Sequence, residues 1–121
     1  MPYVLVLLRE GSNLKDEPVH AAAHERFISS LIRRNLVLIG GGLDDAVDDV
    51  YAAYVLRCGG VEEASAIAAE DPFVVNDVVR PQCVEWNVVG VNPDAIDAST
   101  VVRPEDIYRL ADEPSAERKD A

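Results

Sequence analysis

The hydrophobic and polar positions along the chain alternate between short apolar runs and longer amphipathic stretches. An apolar run over residues 3–8 is followed by charged residues and Gly11, which predicts the first strand. A helix is predicted to start after Asp16 and to run to about Arg34, because Asp16 can cap a helix and Asn35 can adopt the left-handed conformation that ends one. Its apolar stripe consists of Ala23, Phe27, Ile28, Leu31 and Ile32.

The next two apolar runs predict a pair of strands. They cover residues 36–39 and residues 50–56, the second with Tyr51 and Tyr54. Three consecutive glycines and four aspartates separate the runs, so we expect residues 40–49 to form a hairpin loop.

The remaining elements are a second helix and a final strand. Glu62 and Glu63 open the helix, which is predicted to stop near Asp71-Pro72, and the strand is predicted over roughly residues 82–91. The resulting order is β-α-β-β-α-β. This order predicts an α+β protein with the antiparallel sheet of the ferredoxin-like unit.

The first two strands are apolar on both faces, although two helices can cover only one face of such a sheet. A second copy of the same sheet is the simplest cover for the other face. We therefore predict a homodimer that packs sheet to sheet.

The pattern changes after Val91. Residues 1–91 are predicted to form the folded domain, and residues 92–121 a polar extension. One short helical segment is predicted over residues 104–111, and residues 112–121 are expected to be mobile because they lack apolar partners.

Composition narrows the classes of function. The chain has 121 residues, 49% of them hydrophobic, which fits one globular domain. With 11 basic and 22 acidic residues the formal net charge is −11, so nucleic acid is not an expected partner. No apolar run approaches the roughly 18 residues of a membrane span, and no signal-type segment opens the chain. We expect a cytoplasmic protein without a membrane partner.

Candidate chemistry centres on the two histidines, His20 and His24, which lie four residues apart on the first predicted helix. This spacing suits two metal ligands, but no third ligand is evident, and no metal or cofactor is predicted. His24 borders the apolar stripe, which also fits a half-buried structural histidine. Its candidate partner is Asp71, although Asp71-Pro72 is also a common way to end a helix.

The other chemical features have simpler interpretations. Asp44, Asp45, Asp48 and Asp49 lack the glycine and the terminal glutamate of an EF-hand loop, so a solvated hairpin is favoured over a cation site. The glycines that follow the second strand open a hairpin and not a helix, which argues against a phosphate cradle. Cys58 and Cys83 fall on strands that the first strand separates, so packing is expected, not a disulfide.

Taken together, the motifs resemble those of the YciI-like (YCII-related) family of the dimeric α/β-barrel superfamily. The likeness covers roughly residues 1–91. It rests on four features in order, and on an ending that is similar to one branch of the family. These are Tyr3-Val4 in the opening strand, His24 on the first helix, Gly41 after the second strand, Asp71-Pro72-Phe73, and the ending over residues 84–89.

The resemblance implies a dimeric ferredoxin-like barrel in which His24 and Asp71 form the active site, without a cofactor. Asp71 would accept a hydrogen bond from one imidazole nitrogen, and the other nitrogen would act as general base or acid toward an unidentified small molecule. One relative is similar to a dehydrochlorinase that acts on a chlorinated hydroxyquinol, so proton abstraction with elimination is within the family's reach.

The chain departs from the family pattern at three positions. Arg9 stands where an acidic residue is common, Ala21 where an arginine is common, and Asp77 where a glycine is common. Several interpretations stay open: a cofactor-independent lyase or isomerase, a related cofactor-free monooxygenase, a ligand-binding or accessory homodimer, or a homodimer in which the His24–Asp71 pair only stabilises packing.

Overall fold

The computed structural model describes residues 2–96. The predicted β-α-β-β-α-β order is confirmed, with one added helical turn, α3, before the last strand. The predicted helix over residues 104–111 and the predicted mobile end lie outside the described residues. The elements are β1 (Tyr3–Glu10), α1 (Glu17–Arg33), β2 (Val37–Val47), β3 (Val50–Arg57), α2 (Val61–Ala68), α3 (Pro72–Val75) and β4 (Val79–Trp86).

The four strands form one antiparallel sheet in the order β2-β3-β1-β4, which is the ferredoxin-like arrangement. β1 lies in the middle, and its Val6 faces Tyr54 of β3 on one side and Cys83 of β4 on the other. Cys58 and Cys83 are both free thiols.

Helices cover one face of this sheet. Val4, Val6 and Leu8 of β1 are buried in a core that includes Leu31 of α1 and Ala64 of α2. The alternate residues of β1 point to the other face, because side chains along a strand alternate in direction. Within the described part of the chain no element packs over that second face, and its exposed apolar side chains include Ile39, Val84 and Trp86.

The first helix ends as predicted and starts without the predicted cap bond. Asn35 has a φ of 59°, the left-handed conformation expected there, and the amide of Leu36 donates to the carbonyl of Leu31 over 2.9 Å. Asp16 occupies the N-cap position, but its side chain accepts no cap hydrogen bond. No helix in the described range combines the length and the hydropathy that a membrane crossing requires.

The predicted hairpin loop over residues 40–49 is wrong. β2 continues through the glycines to Val47, and only Asp48 and Asp49 connect it to β3. Asp48 has a φ of 56°, which suits a tight turn between antiparallel strands. Glycines and aspartates are tolerated in the strand because this edge segment is exposed and pairs irregularly with β3 beyond Gly42.

The predicted limits of the last two elements are also wrong. α2 ends at Ala68, before Asp71-Pro72, and β4 covers Val79–Trp86, not residues 82–91. β4 includes Pro81. Because β4 is an edge strand, a proline without an N–H group fits within it.

Candidate functional site

The loop before α1 is hydrogen-bonded to the loop after α3. The amide of Gly11 donates to the carbonyl of Val78 over 3.0 Å, and the amide of Asn13 donates to the carbonyl of Asp77 over 2.8 Å. A Cβ at position 11 would lie 2.3 Å from the Asp77 carbonyl oxygen, so only glycine permits this approach. These bonds hold the start of α1 beside α3, the two elements that carry the site.

Asp71 is fully buried and begins α3. Its Oδ1 accepts a hydrogen bond from the amide of Phe73 over 2.9 Å, which makes it the N-cap, and Pro72 follows at a position that needs no donor. The sequence interpretation put Asp71 at the end of the second helix, where a carboxylate is unfavourable. That placement is wrong because α2 ends three residues earlier, at Ala68.

The structure brings His24 and Asp71 together. Nδ1 of His24 lies 2.9 Å from both carboxylate oxygens of Asp71. The Asp71 side chain is 0% exposed and that of His24 is 20% exposed, so the pair joins the core to the surface of the molecule. With Asp71 ionised, Nδ1 carries the proton and donates it, and the lone pair of a neutral ring is then on Nε2.

Nε2 of His24 makes no hydrogen bond with any residue in the range 2–96. The buried carboxylate can stabilise a positive charge on the imidazole ring, because it is itself desolvated and needs a partner. Chemically, the arrangement can take a proton at Nε2 and return it.

Phe73 orients the imidazole ring. The two rings are stacked, with 4.0 Å between centroids and 10° between planes. In the sequence, Phe73 stands out only as part of the Asp71-Pro72-Phe73 motif, and the stacking shows what this aromatic residue does. It keeps the plane of His24 fixed while Asp71 holds one edge.

Tyr54 is a buried polar residue whose phenol is influenced by the charge of Asp71, and nothing in the sequence marks it as a site residue. Burial raises the pKa of its phenol, and the charge of Asp71 raises it further, so the hydroxyl stays protonated. The alternation along β3 could have indicated its burial, because Tyr54 points to the same face as Leu56 and Ala52.

Among the described residues, no group of three or more His, Cys, Asp or Glu side chains is placed to hold a metal ion. Nδ1 of His24 is already bonded to Asp71 and is not available as a metal ligand. In the acidic hairpin, Asp49 forms an ion pair with Arg9, whose Nε also donates to Gln82 over 2.7 Å. Arg9 is thus bound to these two residues.

Comparison with solved structures finds a similar fold. The chain is similar to 5-chloro-2-hydroxyhydroquinone dehydrochlorinase (TftG) from Burkholderia phenoliruptrix AC1100 in complex with 2,5-dihydroxybenzoquinone. The two are 16% identical, the match covers 72% of this chain and 94% of the other, and the TM-score is 0.55. At this identity the likeness shows the fold alone, and it confirms the ferredoxin-like prediction. No protein-family model and no curated protein matches the chain.

Proposed function

We propose that this protein is a YciI-like, cofactor-independent enzyme that moves a proton on a small molecule, with His24 as the base and Asp71 as its partner. One observation carries the proposal. A buried carboxylate binds Nδ1 of His24, whereas Nε2 makes no bond within the described chain. A histidine held in this way has a fixed tautomer and an available lone pair.

The chain's own residues supply each part of such a reaction. Nε2 of His24 takes a proton from a carbon or an oxygen of the substrate, and the electron pair of the broken bond stays on the substrate. That pair either shifts within the molecule, as in an isomerase, or expels a leaving group, as in a lyase. Asp71 stabilises the imidazolium, which then returns the proton to product or water.

Small hydroxylated ring compounds are the substrate class that we propose. The similar structure is named as a dehydrochlorinase of a chlorinated hydroxyhydroquinone, and an acidic ring compound can lose a proton to a neutral imidazole. Arg9 and Ala21 differ from the residues common in the family. We therefore expect the preferred ring substituents to differ from those of 5-chloro-2-hydroxyhydroquinone, so the unchlorinated ring is tested beside the chlorinated one.

We also propose that the working form is a homodimer built by sheet-to-sheet packing. The second face of the sheet carries Ile39, 62% exposed, together with Trp86, 48% exposed, and Val84, 42% exposed. A contiguous apolar face of this kind is typical of a protein interface. A second copy of the same sheet matches its shape and its apolar character.

Proton exchange in D2O tests the enzymatic proposal without knowledge of the product. Hydroxyhydroquinone and 5-chloro-2-hydroxyhydroquinone, kept anaerobic, are followed by proton NMR for deuterium uptake at ring carbons and by chloride release. We expect the unaltered protein to accelerate at least one of these reactions, and His24→Gln to lose about 100-fold or more of that acceleration. His20→Gln, on the same helix, is the matched control and should keep it.

Equal activity in His24→Gln and the unaltered protein would contradict the role of His24. Saturable binding of these compounds without exchange or release would instead support the alternative, a ligand-binding or accessory homodimer without turnover.

A further inference from the structure

The Tyr54 hydroxyl is a buried polar atom that the described fold does not use. Tyr54 is 4% exposed, and its Oη makes no hydrogen bond with any of residues 2–96. Buried tyrosine hydroxyls normally have a partner, because an unpaired buried donor destabilises the folded state. An exception in a native fold requires an explanation, and one explanation is a partner that arrives from outside.

The position of Tyr54 relates it to the His24–Asp71 pair. Its side chain points to the helix-covered face of the sheet and belongs to the same buried core as Phe73, the residue stacked on His24. The negative charge of Asp71 contributes to the raised pKa of Tyr54, which places the carboxylate in the electrostatic environment of the phenol.

Tyr54 and Asp71 do not bond to each other. Oδ1 of Asp71 accepts from Phe73 and from His24, and Oδ2 accepts from His24. Tyr54 Oη is without a hydrogen-bond partner in the described chain. An acceptor oxygen from a third group would satisfy the hydroxyl.

We propose that the Tyr54 hydroxyl donates a hydrogen bond to an oxygen of the molecule that binds beside His24 and Asp71. This inference rests on the proposed function and deepens it. The ligand must present a hydroxyl or carbonyl oxygen as an acceptor, because the phenol is a donor at neutral pH. Tyr54 thus selects for oxygenated rings over rings that lack the oxygen.

The same bond assists proton transfer. When Nε2 of His24 takes a proton, the electron pair left on a conjugated ring moves toward its oxygen, and a hydrogen bond to that oxygen strengthens as negative charge develops. The O–H bond of Tyr54 stays intact throughout, so Tyr54 neither gains nor loses a proton.

Tyr54→Phe tests the proposal because it removes the hydroxyl and keeps the ring. The matched control is Tyr51→Phe on the same strand, where the hydroxyl contacts Glu10 at the end of the sheet. Binding of hydroquinone is measured by calorimetry. We expect Tyr54→Phe to weaken it about 5- to 10-fold, the effect of one lost hydrogen bond, and Tyr51→Phe to leave it unchanged.

Thermal unfolding separates a ligand role from a structural one. If the hydroxyl serves only the ligand, Tyr54→Phe has a melting temperature equal to or above that of the unaltered protein. A lower melting temperature together with unchanged binding would overturn the proposal.

A second measurement uses the unaltered protein. In a chain labelled with carbon-13 at tyrosine Cζ, hydroquinone should shift the Tyr54 resonance, and an unmoved resonance at saturating hydroquinone overturns the proposal. Failure of the two proposals is distinguishable. If His24→Gln loses deuterium exchange but Tyr54→Phe binds hydroquinone as well as the unaltered protein does, only the inference about Tyr54 is refuted. If Tyr54→Phe binds hydroquinone more weakly but His24→Gln keeps its exchange activity, the assignment of His24 as the base is refuted.

Discussion

The ring of Phe73 lies flat against the imidazole of His24, and the backbone amide of the same Phe73 donates to the carboxylate that holds this imidazole. Asp71 therefore provides the acceptor for Nδ1, and Phe73 provides the aromatic surface on which the imidazole stacks. The orientation of the histidine depends on the single helical turn of α3 that Asp71 caps.

Asp71→Asn should lower the free energy of unfolding by about 1–3 kcal/mol, because a buried carboxylate with charge-assisted bonds is replaced by an amide of similar volume. Urea unfolding measures the change. Asp16→Asn is the control, since Asp16 makes no side-chain cap bond, and it should stay within about 0.5 kcal/mol of the unaltered protein. Equal effects of the two substitutions would refute the importance of the Asp71 contacts.

Gly40→Ala should destabilise the fold and disturb Tyr54. An added Cβ would lie 2.6 Å from Cβ of Tyr54, and neither atom can move without its backbone. We expect a loss of about 1–3 kcal/mol in urea unfolding. Gly42→Ala, whose Cβ would meet only the Tyr51 carbonyl oxygen at 3.9 Å, should be neutral. If Gly40→Ala leaves the free energy of unfolding unchanged, β2 and β3 are farther apart than described.

The order of the elements could be predicted from the sequence, because hydrophobic spacing reports which residues face a core. The end of β2 could not, since its exposed glycines and aspartates have the composition of a loop. The pairing of His24 with Asp71 was expected from a resemblance. The unpaired hydroxyl of Tyr54 could not be expected from the sequence, because its hydrogen bonding depends on which groups face it across the core.

Arg80 should govern the titration of Asp77. The hydrogen bond from Arg80, with a further contribution from Ser12, holds the pKa of Asp77 below the ordinary value of 3.8. A lowered folded-state pKa contributes stability above pH 3.8 that is lost as the pH falls through the folded-state value. In Arg80→Met the Asp77 midpoint, followed by carbon-13 NMR of the carboxyl, should rise.

The difference in free energy of unfolding between Arg80→Met and the unaltered protein should be present at pH 6. It should disappear as the pH falls through the folded-state pKa of Asp77. Arg26→Met removes a positive charge that has no ion-pair partner in the described part of the chain, and it should leave the Asp77 midpoint in place. An equal shift of the Asp77 midpoint in Arg80→Met and in Arg26→Met would show that net charge causes the effect, and not the contact between Arg80 and Asp77.

The proposed dimer should depend on the open face of the sheet. Light scattering coupled to size exclusion should give twice the mass of one chain for the unaltered protein and a smaller mass for Ile39→Asp, because a buried unpaired charge opposes association. Val19→Asp, at a position 74% exposed on α1, is the control and should remain dimeric. A monomeric unaltered protein would contradict the proposed assembly.

In the mechanism that we propose, Asp71 keeps the proton of neutral His24 on Nδ1 and leaves the lone pair on Nε2. Long-range proton–nitrogen NMR of the imidazole rings identifies this tautomer, with His20→Gln used to assign the His24 signals. At a pH where the ring is neutral, Nδ1 should resonate as a protonated nitrogen and Nε2 as an unprotonated one. The opposite pattern, with the proton on Nε2, would contradict this mechanism, because the lone pair would then lie on Nδ1, which faces Asp71, and not on Nε2.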